Sequence, residues 1–278
     1  MVNGENVHLS TTKWCLRLGA SACFIGHGAF GVITKAAWIP YFAVAGIPSD
    51  VAYTLMPVIG TVDIVMGVAV LLSPRPIVLV YMTVWALWTA LLRPLAGEPA
   101  FETLERAGNY GVPLALLLLL GWPQSWRGLF QTRENRPADP ATVARVLQWT
   151  TVLLLFGHGA LAAITRKPLF ATHYAALGLP SGVVPFVGAG EMLVALLVLI
   201  LPSPTLVIAI AVWKLATEAL FPIAGSPIWE LIERGGSYAA PLALALLMQR
   251  RAIHLTPRGD GHDTRTRAVL GARSGEPA

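Results

Sequence analysis

Apolar runs of spanning length follow one another along almost the whole chain, separated by short polar or proline-bearing breaks. A hydrocarbon core about 30 Å thick is crossed by about 20 helical residues. The pattern therefore predicts spanning helices at 14–34, 51–73, 76–96 and 107–123, then at 143–165, 183–202, 205–225 and 235–250. The fourth and eighth are short unless their amphipathic approaches, 101–106 and 229–234, extend them. Two semi-apolar stretches, Trp38-Ile39-Pro40-Tyr41-Phe42 and Leu169-Phe170-Ala171-Thr172-His173-Tyr174, are too short to span, and their aromatics beside prolines predict interfacial or re-entrant segments. The expected fold is all-α, a polytopic membrane protein of eight transmembrane helices.

The second half of the pattern restates the first. Trp85, Leu87, Thr89, Leu92, Pro94, Gly97, Pro99, Glu102, Glu105, Arg106, Gly108, Tyr110 and Pro113 recur 128 residues later as Trp213, Leu215, Thr217, Leu220, Pro222, Gly225, Pro227, Glu230, Glu233, Arg234, Gly236, Tyr238 and Pro241. About half the positions in that block match, against roughly one in twenty by chance, so an internal duplication is expected. It divides the chain into a first repeat at 1–127, a polar linker at 128–141, a second repeat at 142–252 and a disordered cytoplasmic tail at 253–278. An even number of spans per copy makes the two repeats parallel, related by a pseudo-twofold axis along the membrane normal.

Composition sharpens the class. Hydrophobic residues make up 55% of the chain and charged residues 13%, with mean hydropathy +0.63; a soluble domain carries about 25% charge. The basic residues behind the net charge of +5 lie in linkers and tail, where they face anionic lipid rather than nucleic acid. Lys and Arg are more numerous on the side of the termini and the linker, so both termini are expected in the cytoplasm of a bacterial inner membrane. Cys15 and Cys23 form no C-x-x-C pair, which removes thiol relay chemistry. The first apolar run reads as a retained helix, not a cleaved signal.

Ionisable side chains near the bilayer centre cost roughly 2.5–3.5 kcal/mol each, so those kept in both copies carry the candidate chemistry. Gly26-His27-Gly28-Ala29 corresponds to Gly157-His158-Gly159-Ala160, and helix two offers Asp63 and Glu191 at matching depth. A carboxylate there must be protonated, paired or wet, and the histidine of its own copy is the expected partner. His27, Asp63, His158 and Glu191 are the candidate catalytic residues: such pairs relay protons, orient a ligating imidazole or simply lock helix packing. Trp85 and Trp213 supply apolar walls. Arg93 has no counterpart and either holds an anionic or quinone-like head group or snorkels to the outer interface. Lys214 and Glu218, four apart, face each other in the second copy only. Glu102, Glu105, Arg106 and Tyr110, matched by Glu230, Glu233, Arg234 and Tyr238, fall along one helical face; they anchor a short helix or line an outer vestibule. There is no H-E-x-x-H and no metal site is expected.

The small-residue opening Phe24-Ile25-Gly26-His27-Gly28, with Lys35 beyond it, in a four-helix unit resembles the DoxX-like group of bacterial membrane proteins. Members are usually single units, and the doubling is a departure. The resemblance implies a component of a quinone-linked membrane oxidoreductase, with a redox partner subunit and the lipid bilayer as partners. The cofactor is not fixed by the residues: quinone is the first candidate, haem held by the histidines a lesser one. A proton-coupled carrier or channel for a small solute, and an assembly subunit without its own activity, are the alternatives.

Overall fold

The computed structural model describes residues 2–131 and 135–255. Arg133 and Glu134 of the predicted linker, and the predicted tail beyond residue 255, lie outside the described residues; 253–255 close the last helix instead. Among the described residues the secondary structure is helical apart from one isolated bridge, Trp122 with Arg136. The first half holds α1 (Val2–Val32), α2 (Ile39–Val44), α3 (Ser49–Leu72), α4 (Pro76–Leu95), α5 (Phe101–Glu105) and α6 (Ala107–Leu120). The second holds α7 (Pro140–Ala163), α8 (Pro168–Ala175), α9 (Val184–Ile200), α10 (Pro204–Ile223), α11 (Trp229–Glu233) and α12 (Gly235–Leu255).

Local chemistry sets the ends. Proline, which has no N–H to waste, opens α4, α7 and α10. The Asp139 carboxylate accepts from Ala141 N at 3.0 Å and the Ser203 hydroxyl from Leu206 N at 3.2 Å. Gly97 and Gly225, at φ of 93° and 90°, turn the chain out of α4 and α10 in a conformation closed to other residues. Pro94 and Pro222 do not end their helices at once: both helices run through the proline and stop one residue later. In α4 the carbonyl that Pro94 leaves free, that of Ala90, accepts instead from the Thr103 hydroxyl at 3.1 Å.

Six helical segments, 8–32, 49–72, 76–95, 140–163, 181–200 and 204–223, are long and apolar enough to cross a membrane. α6, of 14 residues, rises about 21 Å and falls short of a full core. Its approach does not lengthen it, because the backbone turns at Arg106 and leaves α5 a separate helix; Arg234 does the same between α11 and α12. The single helical face expected for Glu102 to Tyr110 is thereby replaced by a bend that gathers the charges.

α1, α6, α7 and α12 form the interior, with α3 and α4 outside the first pair and α9 and α10 outside the second. Glycine permits the approach. A Cβ on Gly28 would lie 2.5 Å from Gly60 O, and one on Gly159 2.5 Å from Gly188 O, so α1 meets α3, and α7 meets α9, backbone to backbone. The halves interlock reciprocally: α11 sits on α1 and α5 on α7. A Cβ on Gly26 would lie 2.3 Å from Glu233 N and one on Gly157 2.3 Å from Glu105 N. α6 and α12 cross where Gly108 and Gly236 face each other. Val58, Val65, Leu193, Ile200 and Val212 stand exposed on the outer helices, an apolar jacket suited to lipid.

Candidate functional site

Two polar clusters stand out against this apolar frame. The first occurs once in each half. His27 Nδ1 lies 2.8 Å from Asp63 Oδ2, and His158 Nδ1 lies 2.6 Å from Glu191 Oε2. Each carboxylate takes a second donor, Trp85 Nε1 at 3.4 Å on Asp63 Oδ2 and Trp213 Nε1 at 2.7 Å on Glu191 Oε1. The extra methylene of glutamate lets both oxygens work, whereas the Asp63 side chain serves both donors with one oxygen and leaves Oδ1 without a hydrogen bond. His27 stacks on Trp38 at 4.5 Å, and His158 meets the edge of Phe170 at 4.8 Å. Trp85 and Trp213 were expected as apolar walls; both are hydrogen-bond donors, since an indole N–H inside oil needs an acceptor. Trp213 and Glu191 also line an apolar cavity of about 470 Å³ between α7, α9 and α10.

The second cluster lies at the seam of the halves, where α1, α4, α7 and α10 end and α6 and α12 begin. A cleft of about 540 Å³ is lined by Lys35, Arg93, Arg106, Lys167 and Arg234, by Glu98, Glu102 and Glu230, and by Trp38, Tyr41 and Phe221. Lys35 reaches across the seam to Glu230 at 2.6 Å, and Lys167 crosses the other way to Glu102. Arg234 Nη1 lies 2.7 Å from Glu230 Oε2 and 3.4 Å from Glu233 Oε1. Its Nε lies 2.7 Å from Glu218 Oε2 and 3.8 Å from Glu105 Oε1. Arg106 holds Glu105 and, at 3.5 Å, Glu102. Burial pushes the Glu105 carboxyl upward, but Arg106 and Arg234 beside it outweigh burial and hold it well below the usual carboxylate range. Glu105, Glu218 and Glu233 stand behind the wall. The lining carries five cations and three carboxylates, while Glu105, Glu218 and Glu233 pair with Arg106 and Arg234 from behind it; with Lys214 the whole cluster balances at six of each, and only the face turned to the cleft is richer in cations.

The halves differ here in concert. In the first, Arg93 Nη1 donates to the Tyr41 hydroxyl at 2.8 Å and lies 3.5 Å from Glu98, while Tyr41 donates to Glu98. The matching places in the second half hold Phe221, His173 and Ser226. His173 packs on Phe221 at 4.2 Å, is 2% exposed, and leaves Nε2 without a hydrogen bond. Burial, together with the Arg234 charge, pushes its imidazole down to about 4, so it is neutral near pH 7. Arg234 compensates for the missing Arg93 by lying 3.9 Å over the Phe221 ring.

Of the expected binding residues, Arg93, Glu102, Arg106, Glu230 and Arg234 line the cleft. The Arg93 side chain is 14% exposed and turned into the seam by Tyr41, Glu98 and Glu102. Glu105, Glu218 and Glu233 are behind the wall, and Trp85 and Trp213 lie deeper. Tyr110 and Tyr238 are ties, donating to Thr103 O at 3.2 Å and Leu231 O at 2.7 Å across the bends. Neither His27 nor His158 lines the cleft; of the His and acid pairs, Glu191 borders the apolar cavity between α7, α9 and α10. Sequence reasoning passed over Lys35, Lys167, Tyr41 and Glu98; the first two recur at matched places and carried a usable signal, the last two have no counterpart. Among the described residues no group of three His, Cys, Asp or Glu side chains is placed to hold a metal ion. Comparison with protein-family models, curated proteins and solved structures gave no match.

Proposed function

We propose that this chain is a membrane carrier that admits a small anionic solute into the cleft at the seam of its halves. The observation that carries the reading is that cationic side chains outnumber acidic ones on the lining of that 540 Å³ space, with the balancing carboxylates turned behind it. Charges placed within a membrane protein are costly, and here five cations share the wall of one open space. In this reading the chain is built as two tandem, parallel four-helix units related by a pseudo-twofold axis. α6 and α12 complete eight crossings of a bacterial inner membrane, both termini are cytoplasmic and the cleft opens outward. The reciprocal packing of α5 on α7 and α11 on α1 supports it. The His27–Asp63 and His158–Glu191 pairs then fix helix packing beneath the site. The test is uptake of labelled sulfate, phosphate or benzoate into proteoliposomes. Flux that Arg93→Gln and Lys167→Gln abolish supports the carrier, and absence of flux for all three refutes it.

A second reading keeps the DoxX-like resemblance: a component of a quinone-linked oxidoreductase with a redox partner subunit. The apolar cavity beside Glu191 and Trp213 favours it, because its size suits a head group of the quinone type and its one acid sits at the wall. Extraction of the purified protein without any recovered quinone, and no quinone-dependent turnover with membranes supplied, would remove it.

A further inference from the structure

The halves differ most sharply inside α4 and α10. Where α4 carries Ala86 and Ala90, α10 carries Lys214 and Glu218. Both charged side chains are 1% exposed. Lys214 Nζ lies 2.7 Å from Glu218 Oε1, and Glu218 Oε2 lies 2.7 Å from Arg234 Nε. Arg234 is part of the cleft wall. A chain of charge thus leads inward from the cleft in the second half only. Stability does not require it, since a buried ion pair replaced by apolar residues is often neutral or better, and the first half closes over alanines at the same places.

We propose that Glu218 is the proton-binding carboxylate that links anion entry to proton uptake, one proton for each anion that engages Arg234. This rests on the anionic reading of the cleft. An anion arriving at Arg234 competes with Glu218 for the same guanidinium. The Glu218 oxygen so released takes a proton that reaches it from cleft water past Arg234, forming its O–H bond while the solvent loses one proton, which offsets one negative charge of the anion. The groups facing Glu218 are Lys214 on its own helix, Arg234 at the α11–α12 bend with Glu105 behind it, His173 on α8 and Tyr238 on α12. Of these, His173 is neutral near pH 7 and Arg234 keeps its proton; Glu218, held by Arg234 on one oxygen and by Lys214 on the other, is the acid whose partner the anion takes.

The experiment titrates the full-length protein in detergent with sulfate, following Trp fluorescence for binding and a pH indicator in weak buffer for protons. The wild type is expected to take up one proton per sulfate and to bind more weakly as pH rises. The double variant Lys214→Ala/Glu218→Ala installs the alanines that the first half already accommodates; it is expected to bind with altered affinity, no proton uptake and a flat pH profile. Uptake persisting in that variant, or absent from wild type that binds sulfate, overturns the proton link and leaves the anion site standing. No sulfate binding at any pH removes the anion site first, and the link with it.

Discussion

Isosteric neutralisation of the two helix-pairing acids, Asp63→Asn and Glu191→Gln, separates their roles because the two carboxylates are used differently. Glu191 accepts with both oxygens, at 2.6 Å from His158 and 2.7 Å from Trp213. An amide has only one oxygen, so Glu191→Gln turns an NH₂ toward a donor and loses one charge-assisted bond, worth about 1.5–3 kcal/mol, and weakens the other by about 1. The total is about 3 kcal/mol. Asp63 accepts with Oδ2 alone and its Oδ1 makes no hydrogen bond. Asn keeps the accepting oxygen and places its NH₂ at the idle position, so only charge assistance is lost, about 1 kcal/mol. His27, at 24% side-chain exposure against 7% for His158, also recovers solvent more readily. The difference, about 2 kcal/mol, is about 30-fold in the unfolding equilibrium. Titration of both variants with SDS in mixed micelles, followed by circular dichroism, measures it. Equal losses, or a larger one for Asp63→Asn, would refute the hydrogen-bond accounting.

Further outcomes follow from the same contacts. Gly108→Ala places a methyl group 2.5 Å from the Gly236 backbone; overpacking of this kind costs about 1–3 kcal/mol, and melting curves should show the loss while Ala substitution at Gly190, which has open space, leaves the midpoint in place. Arg234→Gln removes the cation shared by Glu105, Glu218, Glu230 and Glu233, leaving the first three to Arg106, Lys214 and Lys35 and Glu233 without its ion pair; a destabilisation of about 3–5 kcal/mol is expected, relieved in part by adding Glu218→Gln. His173, held at about 4 in the fold against an ordinary 6.5, binds its proton more readily when unfolded. Stability should therefore fall as pH is lowered from about 6.5 toward 4, and this part of the acid-side loss should vanish in His173→Phe when melting temperatures are compared across that range.

Much of the helical pattern is legible in the sequence because oil imposes one requirement on every residue of a span. The apolar runs around 51–73, 76–96 and 205–225 anticipate α3, α4 and α10 to within a few residues. Equal depth was enough to set His27 beside Asp63 and His158 beside Glu191, since a buried carboxylate has few other places to go. What periodicity does not encode is the bend at Arg106 and Arg234, where the chain leaves α5 and α11 and re-enters the bundle; an unbroken helical spacing puts Glu102 and Tyr110 on one face, and the turn undoes it. The cleft was hidden for a related reason. Its ion pairs run between halves, Lys35 to Glu230 and Lys167 to Glu102, across 195 and 65 residues, and a reading confined to one copy at a time cannot join them. Tyr41 and Glu98 escape notice because they are a pair made for Arg93 alone.

The most direct measurement is calorimetric titration of sulfate into the purified protein and into Arg93→Gln and Lys167→Gln, at low and at 0.5 M sodium chloride. Saturable binding of one anion per chain is expected, weakened at least tenfold by either substitution and screened by chloride. Binding that is indifferent to both substitutions, or a site that prefers a cation, would contradict the cation-lined cleft as the place where this protein meets its solute.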